Sequence, residues 1–157
     1  MALDLSDNKD RLKLLLGNEA SKIEWQVCDI TDLKMLKKII TSYNPVAIIH
    51  LAGLQVPFCA ADPALGARVK VEGTINSLEI VKEANIKRTV YASSVAALGM
   101  PPKGPWKETL YGAYKLANEH TAFVYWADWE VPSIGIRPNI VYGLARDQGM
   151  SSKNTLA

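Results

Sequence analysis

Tyr111 and Lys115 stand four positions apart in the run Tyr-Gly-Ala-Tyr-Lys, and Ser93-Ser94 lie upstream of them. If the run is helical, a rise of about 1.5 Å per residue puts the lysine roughly one turn beyond the tyrosine on the same face. A phenol ordinarily ionises near pH ~10, so one that shuttles protons at neutral pH needs about 4 kcal/mol of preferential stabilisation of its phenolate. A nearby ammonium supplies the right sign of charge. Lys87-Arg88-Thr89-Val90-Tyr91-Ala92 reads as a short strand running into Ser93-Ser94. The carboxyl end of such a strand is where open α/β sheets bind ligands. A serine hydroxyl placed there can hydrogen-bond a substrate oxygen while the tyrosine gives or takes its proton.

The elements that must position these groups follow from periodicity. Lys9 to Gly17 suits a short helix ended by its glycine, and Lys22 to Val27 alternates as a strand. Asp29-Ile30-Thr31-Asp32 forms a turn and cap for a helix over Asp32 to Tyr43, whose stripe is Leu33, Leu36, Ile39 and Ile40. Val46 to Leu51 reads as a buried strand, and Asp62 to Ala84 holds two helical patterns, the better from Gly73. A long helix from Tyr111 to Trp129 ends at Val131-Pro132, and a last strand covers Ser133 to Arg137. Gly99 to Lys107, rich in proline and glycine, reads as a loop of the kind that borders sites, and the tail from Gly143 is expected to fray. Strands alternating with helices predict an α/β fold, a mainly parallel sheet with helices on both faces.

Composition narrows the class. The 157 residues are one domain's worth, with 48% hydrophobic and 22% charged residues and a net charge of +2, as expected of a globular protein with a real core. The basic clusters at Lys34 to Lys38 and Lys87-Arg88 are short, so no nucleic-acid partner is expected. Cys28 and Cys59 form no Cys-x-x-Cys pair and read as buried thiols in a reducing compartment; with two histidines they offer no metal spacing. Val46 to Leu54 is about half the length that spans a bilayer. The amino terminus carries no secretory pattern, and the expected location is cytoplasmic.

Taken in order, these segments resemble the extended short-chain dehydrogenase/reductases of the NAD-dependent epimerase/dehydratase family. Asp4 resembles the acid that binds the adenosine ribose, Asp29-Ile30 the pair at the adenine, and His50-Leu51-Ala52-Gly53 the segment lining the dinucleotide. Val71-Glu72-Gly73-Thr74 matches the helix that follows. Ser94 resembles the catalytic serine, Tyr111 and Lys115 the catalytic pair, and Arg137-Pro138 with Val141-Tyr142-Gly143 the motif beside the nicotinamide. Tyr114, followed four places on by Asn118, lacks the lysine.

The resemblance implies a Rossmann-like fold, NAD in preference to NADP because Asp4 repels a 2′-phosphate, and hydride and proton transfer on a sugar or sugar nucleotide. Lys115 would also bind the nicotinamide ribose, and Leu51, Ala52, Gly53 and Pro138 would line the cofactor. It also implies a homodimer formed through the helices at 73–84 and 111–129.

Departures from the pattern set further expectations. The Gly-rich turn and first strand that precede the Asp4 segment in the family have no counterpart, and the chain stops shortly past Arg146-Asp147. It therefore reads as a single, incomplete NAD(P)-binding Rossmann domain, truncated at both ends and lacking most of a substrate domain. The strand without a counterpart is the central one, and backbone groups beside it are costly to leave unpaired. Lys70 stands where many members have Asn, and Asn139-Ile140 replaces an aromatic-Asn pair. Two functions stay open on the sequence: the enzyme, or a catalytically inactive remnant or regulatory nucleotide-binding partner of the same fold.

Overall fold

The computed structural model describes residues 1–99 and 108–144. The predicted loop beyond Gly99 and most of the tail from Gly143 lie outside the described residues. Two compact units are present, one built on Met1–Asp29 with the segment from Ile140, the other on Ile30–Asn139.

In the first unit β1 (Ala2–Asp4) pairs in parallel with β2 (Trp25–Val27), in the register Ala2 to Trp25 and Asp4 to Val27. Between them α1 (Asp10–Leu16) stops at Gly17, whose φ of 52° is a left-handed geometry that costs glycine least. The Trp25 indole N–H donates to the Ser6 carbonyl at 3.1 Å, which fastens the turn after β1 to β2.

The second unit opens with α2 (Leu33–Tyr43), capped by Asp32, whose carboxylate accepts from the Met35 amide at 2.9 Å. Leu36 and Ile40, one turn apart, are its buried residues, and Asn44 ends it in the left-handed conformation. Next come β3 (Ile48–His50), α3 (Val56–Ala61), α4 (Pro63–Ala67), a π turn over Arg68–Glu72, α5 (Gly73–Glu83), β4 (Thr89–Ala92), a 3₁₀ turn at Val95–Leu98, α6 (Leu110–Trp129) and β5 (Ile134–Ile136). The sheet runs β3-β4-β5, all parallel, with Ile49 opposite Val90 and Val90 opposite Ile134.

Helices α5 and α6 pack together, joined by a 2.6 Å hydrogen bond from the Tyr125 hydroxyl to Glu79. The sheet face that carries His50, Thr89 and Tyr91 is buried, and Leu78 and Val81 of α5 are among the most enclosed side chains. Among the described residues nothing covers the opposite face: Ile49 is 71% and Ile134 64% exposed, with Leu51 and Ile136 exposed beside them. The expectation of a buried strand over Val46 to Leu51 is therefore corrected. Successive strand residues point to opposite faces, and among the described residues of this unit only the one holding His50 is covered. Among the described residues β1 pairs only with β2, and β3 only with β4.

Gly112, on the first turn of α6, allows that helix to approach the 3₁₀ turn closely, because a Cβ there would lie 2.5 Å from the Ala96 carbonyl oxygen. Two effects compete in Gly112→Ala. Alanine favours a helix by about 1 kcal/mol, but the clash is with rigid backbone. We expect a net loss of about 1–3 kcal/mol in urea unfolding; an unchanged or raised midpoint would show that the contact is loose.

Candidate active site

Helix α6 starts at Thr109, whose hydroxyl accepts from the Gly112 amide at 3.1 Å. This cap sets Tyr111 on the first turn, half-buried, and Lys115 one turn on, buried at 6% exposure. The Lys115 amine donates to the carbonyl of Ala92 at the end of β4 and lies 5.8 Å from the centre of the Tyr111 ring. The predicted tyrosine–lysine pair thus occupies one helical face, with the lysine seated on the strand end that leads to the serines. Tyr114 points elsewhere and donates to the Pro63 carbonyl at 2.9 Å.

The two serines divide. Ser93, 1% exposed, donates its hydroxyl to Glu119, which also takes both Nε and Nη2 of Arg137. This carboxylate is held below its usual range, first by the Arg137 hydrogen bonds and then by Ser93, against the opposing effect of burial. Ser94 is half-buried, and its oxygen accepts from the Ala96 amide at 3.2 Å, which keeps its own proton free to be donated. Pro138 lies alongside: its carbonyl accepts from the Val95 amide.

A second lysine joins the site. Lys70 sits in the π turn, where its carbonyl receives the Thr74 hydroxyl at 2.7 Å and the Asn118 amide at 3.0 Å. Turns of this kind often accompany functional sites. Its amine hydrogen-bonds Lys115, lies 4.1 Å from the centre of the Tyr111 ring, and would be 3.0 Å from a Cβ on Gly53. Burial, then the Lys115 charge, brings the Lys70 ammonium down to about 7, and burial lowers Lys115 as well. Their contact lowers Lys70 and raises Lys115, so when one of the two is uncharged it is Lys70 that accepts and Lys115 that donates. Sequence reasoning noted Lys70 only as a departure. The available signal was its place one turn before Thr74, on the stripe that continues to Ser77, Leu78 and Val81.

His50 completes the interior. Because Thr74 spends its proton on the Lys70 carbonyl, the His50 Nε2 at 3.1 Å must donate to it, which fixes the Nε2–H tautomer of the neutral ring. Burial, helped by Lys115 and Lys70, lowers its pKa to about 4. Leu51, Ala52 and Gly53, next along the chain, are exposed.

The adenosine-side residues are placed differently. Asp4 and Asp29 belong to the first unit and are exposed; Asp4 accepts from the Ser6 amide at 2.9 Å, a local turn contact. Ile30 belongs to the second unit, where its side chain meets the surface of Gly73 and its carbonyl accepts from Asn76 at 3.0 Å. Trp129 stacks edge-on with Tyr125, 4.9 Å between ring centres, under the Lys82 amine, while Trp126 is more than half exposed. Among the described residues no cluster of metal-binding side chains occurs, and no helix is long and apolar enough to cross a membrane.

Parallel strands joined through helices, with side chains gathered at the carboxyl end of β4, define a Rossmann-like α/β fold. The family model described as NAD dependent epimerase/dehydratase matches residues 5–156, and the chain belongs to that family. It is 29% identical to the UDP-glucose 4-epimerase of Mycolicibacterium smegmatis over 153 residues, 92% of this chain and 48% of that one. With human UDP-glucose 4-epimerase it shares 33% over 105 residues, 66% of this chain and 29% of that one. Among solved structures, UDP-glucose 4-epimerase from Brucella ovis in complex with NAD matches with TM-score 0.65 and 28% identity, covering 76% of this chain and 38% of that one. A monomeric L-threonine 3-dehydrogenase from a metagenome shares the fold at TM-score 0.82 and 22% identity, over 99% of this chain and 50% of that one. The chain spans less than half the length of the curated relatives it matches.

A histidine held neutral by burial couples stability to pH. Between 6.5 and about 4 the unfolded chain binds the proton that folded His50 refuses, so stability falls as the pH is lowered through that window. The loss attributable to this residue is about 3 kcal/mol at most. Urea unfolding across the window should show the slope, and His50→Gln should flatten it; an equal slope in the variant would assign it to other groups.

Proposed function

We propose that this site carries out NAD-dependent hydride and proton transfer at a hydroxyl-bearing carbon of a sugar or sugar nucleotide. The observation that carries the reading is the Tyr111–Lys115 pair on one face of α6, its lysine anchored at the end of β4. Tyr111 is the proton donor and acceptor for the substrate oxygen. Lys115 supplies positive charge to its phenolate, and Ser94 donates a hydrogen bond to the same oxygen as charge develops there. Ser93 serves a different end, since its proton is committed to Glu119.

Two supports bear on the cofactor. The family match and the NAD complex of the Brucella ovis relative favour a nicotinamide dinucleotide. The chain's own residues fit its nicotinamide half: Lys115 and Tyr111 offer donors to a ribose, and the exposed Gly53 backbone presents no side chain to an approaching ligand. NAD, when bound, accepts and returns the hydride. An acid at Asp4 favours NAD over NADP. The sugar class rests on the UDP-glucose 4-epimerase relatives.

Calorimetry with NAD followed by a turnover assay with UDP-sugars tests the reading. Tyr111→Phe should lower turnover by about 10²–10⁴-fold while leaving NAD affinity nearly unchanged. Loss of both would make the tyrosine structural. Binding of NAD without turnover in the unmodified chain would favour a regulatory nucleotide-binding role, and no binding at millimolar NAD would sink both.

A further inference from the structure

Lys70 poses a problem that hydride transfer does not answer. Its side chain is 3% exposed and that of its neighbour Lys115 only slightly more, yet neither forms an ion pair with a carboxylate among the described residues. A buried unpaired ammonium is costly, and burial together with the neighbouring charge loosens the hold of Lys70 on its proton. The groups facing Lys70 are Lys115 and Tyr111 on α6, Cys59 on α3 and the neutral His50 on β3. None of them supplies a formal negative charge at neutral pH without first losing a proton. Cys59, the one acidic thiol here, is pushed up by burial and so stays protonated.

The enclosure is thin on one side. The Lys70 amine lies against Gly53, which is exposed, and over the ring of Tyr111, which is half-buried. A ligand passing the Ala52-Gly53 backbone would meet the Lys70 amine, with the Lys115 amine hydrogen-bonded behind it. We propose that Lys70 and Lys115 form a receptor for an oxyanion, a carboxylate or phosphate group of a ligand that enters between Gly53 and Tyr111. The anion completes the ion pairing that the chain leaves unmade, and Lys70 takes one proton from solvent as it binds. The inference does not depend on NAD or on hydride transfer, and it makes Lys70 a specificity-determining residue.

The probes are sulfate, a tetrahedral dianion that holds no proton of its own near neutrality, and acetate, a planar carboxylate. Each is titrated calorimetrically into the chain in buffers of different ionisation enthalpy. On the alkaline side of neutrality we expect saturable binding with close to one proton taken up per anion. At mildly acidic pH, where Lys70 is already charged, binding should persist and the uptake vanish. Lys70→Asn should weaken binding at least about tenfold and remove the uptake, with its fold checked by circular dichroism. Lys70→Arg, which is always charged, should bind without proton uptake. Preference for sulfate would point to a phosphate ligand and preference for acetate to a carboxylate. Absence of saturable binding, binding without proton uptake in the unmodified chain, or equal affinity in folded Lys70→Asn would each overturn the proposal. None of these results touches the NAD titration, so failure here leaves the hydride-transfer reading standing.

Discussion

The Lys115 amine, buried on the second turn of α6, donates to the Ala92 carbonyl where β4 ends, and the placement of the whole site depends on that contact. An ammonium at this depth is costly unless its protons are accepted. A strand-end carbonyl, released from the ladder as the chain turns into Ser93-Ser94, is a natural acceptor. The bond sets how far α6 stands along the strand. From it follow the Gly112 approach to the 3₁₀ turn and the meeting of Glu119, one turn on, with Ser93 and Arg137. Helix, strand end and β5 are thereby fixed to one another by polar contacts at the end of the sheet where ligands bind.

Much of this was legible in the sequence because the signals were local. The Leu36 and Ile40 stripe, the Asp32 cap and the glycine after α1 announce their helices through one-turn periodicity and terminal chemistry, and each appears where expected. The Tyr111 to Lys115 spacing carries over for the same reason: it needs only that the segment be helical. Burial was less legible. Val46 to Leu51 is apolar on both alternating faces, which in a parallel sheet means cover on both sides, but cover is a property of other segments. Here one face meets α5 and α6, and Ile49 and Ile134 are left open.

The polar interior was harder still. That Ser93 rather than Ser94 gives its proton to Glu119 depends on a contact across 26 positions, which no spacing rule encodes. The tautomer of His50 depends on the Thr74 hydroxyl, and Thr74 in turn donates to the Lys70 carbonyl within the π turn. Asp4 shows the converse. Its place at the end of a strand matches a ribose-binding acid, while its carboxylate in the folded chain is already engaged by the Ser6 amide, so a ligand there would have to share it.

Lys115 has one amine and more than one demand on it. Holding Ala92 consumes a proton, and in the proposed reaction supporting a phenolate at Tyr111 requires that the charge remain. A lone buried lysine could meet the second demand poorly, since burial lowers its hold on the proton. Lys70 alters the balance by accepting a hydrogen bond from it, which raises Lys115 against the pull of burial while Lys70 itself gives up charge. The asymmetry separates the two: the lysine nearer the strand is supported in its charge by its neighbour, and the one nearer the Tyr111 ring gains and loses its proton at about 7. An asparagine in that position could hydrogen-bond Lys115 but could not change its charge when an anion arrives. A lysine rather than an asparagine at position 70 therefore alters what the pocket can respond to more than how it is built.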